Sequence, residues 1–384
     1  MSAKTVDRSI LQGESIELFR AAIKSPATRD PYERRLIQFL KIIKLAPDDF
    51  VTAAKKNSSS IEKQIISFIS KQNSRAEKGE ITTATVGNCL KAVRLLLEMN
   101  DVSLNWKKIR RVLPRARRYA LDRIPTVEEI REIVEAADIR ERALTLVFVS
   151  SGIREGAIEH SRVGDYSTIE VGEQKPAAGR LIVYSGDPEQ YTAFISPEAC
   201  QALDKYLGFR REHGEQITKA SPLFRDKFDP VKGLYGHGKT NSEQAIIPMT
   251  APAVRQYYNR LLFSIGIRKQ RKRRHDFSVH GFRKLFKTKA EIGGMKPINV
   301  ETLMGHSTGI SDSYYRPTEK ELLDDYLNVV DHLTIRKEST FKAEVEHVKE
   351  RGSMNEDAIA TLSDQVMKLM VEVQQLKKPA ISDS

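Results

Sequence analysis

Over residues 14–105 the apolar positions recur every three or four residues. Leu36, Phe39, Leu40 and Ile43 share one helix face, as do Ile61, Ile65, Phe68 and Ile69, and then Val86, Leu90, Val93 and Leu97. Pro26, Pro47 and Gly79 punctuate these stretches, so the region predicts a small all-helical domain. Pro125-Thr126 followed by Glu128 and Glu129 marks a new helix start. Apolar helices follow over residues 142–164, around the stretch SSGIREGAIEH. RLIVY (180–184) and YTAFI (191–195), separated by SGDPEQ, predict a β-hairpin. Helical spacing returns at about 197–212, 250–265, 279–292 and 319–333, with a Gly/Pro-rich loop over 221–248. In the last segment Ile359, Leu362, Val366, Leu369, Val373 and Leu376 alternate steps of three and four, as in a short coiled coil. Self-association and folding back on the parent domain both suit that pattern. The predicted fold is mainly α with a small antiparallel β-sheet. Its parts are an arm (1–13), a helical domain (14–105), a linker (106–125), a second domain (126–335) and a helical tail (336–384).

Charge changes the picture. The chain of 384 residues carries a net +12, which points to an anionic partner. The excess is local: residues 14–120 hold 22 Lys/Arg against 11 Asp/Glu, whereas residues 121–335 hold 31 against 30. It peaks in WKKIRRVLPRARRYALDRIP (106–125), where Lys107, Lys108, Arg110, Arg111, Arg115, Arg117 and Arg118 fall between Trp106 and Tyr119. With Pro114 and Pro125 in it, this stretch predicts an extended linker able to lie along phosphates. A linker that is merely basic is the plainer reading. A second run, Arg271, Lys272, Arg273 and Arg274, precedes His275 and also suits phosphate contact. No apolar run reaches the ~20 residues of a membrane span, and the first residues lack a signal-peptide core. With Cys89 and Cys200 the only cysteines, no disulfide framework is expected, which favours a reducing cytoplasm. No His pair has zinc spacing with a Cys or acidic ligand, the 221–248 glycines do not form a phosphate loop, and no cofactor is expected.

Three stretches of the second domain could carry chemistry. Arg154 follows an apolar run in SSGIREGAIEH; His280 and Arg283 lie three apart in VHGFRKLFKTKA and share a helix face; and MGHSTGISDSYYRP holds His306, Tyr314 and Tyr315. Two arginines, two histidines and a tyrosine suit attack on a phosphodiester. Guanidiniums grip its oxygens bidentately and stabilise the charge that develops there, with no metal ion required. A phenol with a pKa of about 10 must lose its proton to attack, which an imidazole can accept. The product is a phosphotyrosine ester and a 5′-hydroxyl, and the step reverses without ATP.

These residues, in this order and spacing, resemble the tyrosine recombinase family (phage integrases and Xer-type recombinases), with the tone of its archaeal branch. The resemblance spans about residues 28–333. It rests on SGIR with Arg154, HGFR with His280 and Arg283, LMGH with His306, and Tyr315 nine residues beyond that histidine. It implies a helical core-binding domain beginning near TRDPYERRLIQFL, a catalytic domain, and Tyr315 as the nucleophile. It further implies double-stranded DNA with a specific target site as the partner and a homotetramer on synapsed DNA. The localisation implied is cytoplasmic and nucleoid-associated, with the protein encoded by a virus or mobile element. Two departures stand against the pattern. The family's acid lysine sits at a hairpin turn, but SGDPEQY has none; Lys175 in the preceding loop is the nearest candidate, with Lys232 and Lys239 as others. The tyrosine is doubled, and spacing favours Tyr315 over Tyr314. A type IB topoisomerase, or a DNA-binding factor without catalysis, are the rival readings.

Overall fold

The computed structural model describes residues 7–115, 123–172, 174–226, 246–268, 277–307, 309 and 314–335. The chain divides into two compact units, Met1–Leu121 and Asp122–Ser384, a division that falls inside the basic stretch 106–125.

In the first unit six helices are described: α1 (Glu14–Ala21), α2 (Pro26–Ile43), α3 (Pro47–Lys56), α4 (Ser58–Glu77), α5 (Thr83–Met99) and α6 (Trp106–Arg111). Pro26 and Pro47 occupy first-turn positions, where the missing N–H costs nothing. The side chains of Asn57 and Thr82 cap α4 and α5. The periodic residues converge as predicted. Phe39 is fully buried and meets Phe50 and Phe68 edge to face at 5.3 and 5.1 Å. The basic stretch differs from the extended linker expected of it. Residues 106–111 form α6, because Asn105 caps Lys108 N–H and Ile109 is driven fully into the core of this unit. Arg117 and Arg118 lie outside the described residues.

The second unit contains α7 (Val127–Ala136), α8 (Ile139–Ser151), the short α9 (Ala157–His160), β1 (Tyr166–Val171), β2 (Gln174–Val183) and β3 (Tyr191–Ile195). After these come α10 (Pro197–Glu212), α11 (Ala251–Ser264), α12 (His280–Ile292), α13 (Pro297–Leu303), α14 (Glu319–Leu327) and α15 (Val330–Leu333). The start of α7 is a full capping box between Thr126 and Glu129. The strands form one antiparallel sheet in the order β1-β2-β3, with Val183 opposite Tyr191. Neighbouring residues of β3 face opposite ways, so Ala193 and Ile195 join a core with α8 and α10, while Phe194 joins another with α12, α13 and α14. The sheet is therefore covered on both faces, with helices dominant. β1 is absent from the sequence expectation: its outward residues are exposed and it shows no sustained apolar alternation. Its pairing with β2 also moves Lys175 from the expected loop onto a strand, beside Gln174, which faces Val171; the Lys175 side chain lies outside the described residues. Arg210 and Arg225 grip Glu215 from two sides, and all three are almost wholly buried. Among the described residues, no helix is long and apolar enough to cross a membrane.

Candidate active site

The site is made where three helix ends meet. α8 is a buried apolar helix that stops at Gly152 with φ +62°, a left-handed cap natural to glycine. A Cβ at Gly152 would stand 2.4 Å from the Phe286 ring, so the turn also requires the close approach of α12. Ile153 is buried, and Arg154 emerges beyond it. α12 buries Phe282, Leu285 and Phe286 and places Arg283 one turn from His280. His280 is exposed, whereas Arg283 is 4% exposed. α13 ends at a second left-handed glycine, Gly305 (φ +63°), packed against the Tyr191 ring, and the chain turns to deliver His306.

The two turns are tied together by the arginines. Arg283 Nη1 donates to the Gly152 carbonyl at 2.5 Å, and its Nη2 donates to the Met304 carbonyl at 2.7 Å and to His306 Nε2 at 2.6 Å. Arg154 Nη2 donates to the Gly305 carbonyl at 3.2 Å. Burial, with the Arg154 charge added to it, lowers the pKa of Arg283 from its ordinary value. The other face of the His306 ring system is also held. Its Nδ1 meets Glu301, whose second oxygen meets Lys287 on α12. Burial works to raise the Glu301 carboxyl, but hydrogen bonds from Lys287 and His306 prevail and hold it below the usual carboxylate range.

Arg154, His280, Arg283 and His306 line a single cavity of about 320 Å³, with Glu155 and Tyr184 among its other walls. Two guanidiniums opening on one space offer fixed positive charge and planar donor forks, the chemistry that suits an anionic oxygen group. Tyr315 does not line the cavity. Its hydroxyl donates to Asn299 Oδ1 at 2.8 Å, and the buried Asn299 amide in turn donates to Asp325 at 2.7 Å. Tyr314 is 86% exposed, against 36% for Tyr315.

Four residues of this neighbourhood have no part in the sequence expectation. Tyr184 closes β2 with φ +55°, rare outside glycine, and turns its ring to the cavity. Tyr191 packs under Gly305, and burial pushes its phenol up while Arg283 and Arg154 act against it. Glu155 pairs with Arg255 at 3.0 Å, and burial raises its carboxyl despite that arginine. Glu301, five residues before His306, carried no motif. Lys107, Arg110, Arg111 and Arg115 are exposed, whereas Lys108 is engaged with Glu62 at 2.9 Å. Arg271, Lys272, Arg273 and Arg274, with Lys232 and Lys239, lie outside the described residues, as does the 336–384 tail. Among the described residues, no group of three His, Cys, Asp or Glu side chains is placed to hold a metal ion.

No family model and no curated protein sequence matches the chain. Solved structures do. A lambda integrase dimer bound to a COC′ core site aligns over 79% of this chain and 93% of its own, at 14% identity and a TM-score of 0.50. The chain has the tyrosine recombinase fold. Two further tyrosine recombinase structures align at lower scores. A Tn1549 transposon integrase in complex with a circular intermediate DNA covers 82% of this chain and 98% of its own (13% identity, TM-score 0.48). XerA recombinase covers 82% and 96% (19% identity, TM-score 0.37). Within the recombinase fold of this chain, the SGIR, HGFR and LMGH motifs are the three turns and helix ends that surround the cavity.

Proposed function

We propose that this protein is a site-specific DNA recombinase that cleaves and rejoins DNA through a covalent 3′-phosphotyrosine intermediate. The observation that carries the reading is the convergence of Arg154, His280, Arg283 and His306 on one cavity of about 320 Å³, on a fold shared with a lambda integrase structure bound to its core site. In the proposed reaction the scissile phosphate enters between Arg154 and Arg283. Tyr315 leaves Asn299 and its phenolic oxygen attacks phosphorus, its proton passing to a cavity imidazole. The bond from phosphorus to the 5′-oxygen breaks as the bond to Tyr315 forms, and the leaving oxygen takes a proton, for which Lys175 on β2 is the proposed source. Attack by a 5′-hydroxyl of a second strand reverses each transfer and joins the partners. Guanidinium charge that is stronger on the pentacoordinate oxygens than on the ground-state diester lowers the barrier.

The exposed Lys107, Arg110, Arg111 and Arg115 are assigned to the DNA backbone, and four protomers are expected to act on two duplexes. The reading places the protein with DNA in the cytoplasm. It is tested by selecting bound duplexes from a random pool and then incubating two differently labelled copies of the recovered site with the protein. Recombinant duplexes are the expected product. Relaxation of a supercoiled plasmid without exchanged products would instead assign a topoisomerase, and binding without either product a regulatory factor.

A further inference from the structure

The His306 ring has a proton arrangement that can be deduced from its neighbours. A guanidinium has only donors, so the 2.6 Å approach of Arg283 Nη2 requires His306 Nε2 to accept. The ring proton therefore sits on Nδ1, where it is donated to the Glu301 carboxylate. Glu301 is fixed in turn by Lys287, one turn along α12 from Arg283, and Lys287 is also held by Glu291 at 3.2 Å. The backbone reinforces this, since the His306 N–H donates to the Glu301 carbonyl at 3.0 Å. A continuous chain thus runs Lys287, Glu301, His306, Arg283, and its last two members line the cavity.

We infer that Glu301, held by Lys287, is a positioning residue that keeps His306 with Nδ1 protonated and the Nε2 lone pair turned to the cavity. The assignment deepens the strand-transfer reading and rests on it for its catalytic consequence. When phosphate draws Arg283 away from His306, Nε2 is left as the acceptor for the phenolic proton of the attacking tyrosine. The bond from that proton to the phenolic oxygen breaks as its bond to Nε2 forms, and the imidazolium charge that results is opposed by the Glu301 carboxylate. Without Glu301 the ring can adopt the other tautomer, whose Nε2–H cannot accept the proton and meets the Arg283 donor unfavourably.

The test uses the full chain labelled with ¹⁵N in its histidine rings, with His306 identified by loss of its signals in His306→Gln. The wild type is expected to show a protonated Nδ1 and a bare Nε2. Glu301→Ala should mix the tautomers, and Glu301→Gln, which keeps an acceptor oxygen, should restore the wild-type pattern. The Glu301 side chain is 26% exposed, so its truncation leaves no sealed cavity or stranded buried charge. On cognate nicked DNA, Glu301→Ala should slow single-turnover adduct formation by roughly 10²-fold without weakening DNA binding. On a His306→Ala background it should cause no further loss. An unchanged tautomer in Glu301→Ala, or rate losses that multiply in the double variant, would overturn the inference. If the wild type forms no adduct, the recombinase reading fails, while the ring signals still decide whether Glu301 sets the tautomer.

Discussion

Arg283 ties the two turns of the site together and also lines its cavity. It is nearly buried and bonds the carbonyls of both turns. Arg283→Lys keeps a charge but has no planar fork to span Gly152, Met304 and His306 at once. We expect it to lower the rate of adduct formation by 10²-fold or more, on the order of the loss of one preorganised donor, and the measurement is single-turnover cleavage at saturating protein. Gly305 fails for a different reason. Alanine there would sit in the left-handed region, which costs about 1–2 kcal/mol, and its Cβ would stand 2.3 Å from the Tyr191 ring. Urea unfolding of Gly305→Ala should show at least that loss, and its cleavage rate should fall because His306 follows the glycine.

At the scale of elements, what periodicity could reveal was revealed. Helices α2, α4, α5, α10, α11 and α12 lie where apolar spacing predicts them, and β2 and β3 pair as the hairpin. β1 escaped because its exposed residues show no alternation, and α6 because its proline-flanked cationic composition hides the single buried Ile109. In the site, Arg154, His280, Arg283 and His306 were legible because each sits in a short motif at a helix end. Tyr191 was not, since a distant strand brings it against Gly305, and Glu301 was not, since an acid five residues before a histidine is no motif until the turn at Gly305 brings the two together. The Glu215 cluster was equally hidden. Burial works to raise its carboxyl, but hydrogen bonds and charge from Arg210 and Arg225 prevail and hold it below the usual range. A carboxyl lowered in the folded state adds stability above its unfolded pKa of about 4.3, and loses it as pH falls through the lower folded value. Glu215→Gln removes the carboxylate charge that two buried guanidiniums share and should cost about 3–5 kcal/mol. Chemical unfolding from pH 7 down to pH 3 should show the wild type losing this advantage over the variant, the gap narrowing only below about pH 4.3.

For the whole molecule, the excess positive charge is concentrated in the first unit, and the proposed reading assigns it to the DNA backbone. Residues 14–120 carry 22 basic against 11 acidic groups, and Arg110 and Arg111 are exposed and outside the ion pairs that hold Arg75, Arg94 and Lys108. Replacing each of these two by Ala should weaken binding about equally across sequences and reduce the slope of log affinity against log salt by about 1. Titrations at several salt concentrations measure it, and an unchanged slope would remove them from the interface. Tyr315, the proposed nucleophile, is held by Asn299, lies outside the lining of the cavity, and in the proposed reaction must enter it. The most direct test of that role is a nicked suicide duplex carrying the selected site, incubated with wild type, Tyr315→Phe and Tyr314→Phe and resolved under denaturing conditions. We predict a covalent protein–DNA adduct for the wild type and for Tyr314→Phe, and none for Tyr315→Phe. An adduct that survives Tyr315→Phe, or its absence from the wild type on a duplex the protein binds, would overturn the assignment of Tyr315 as nucleophile.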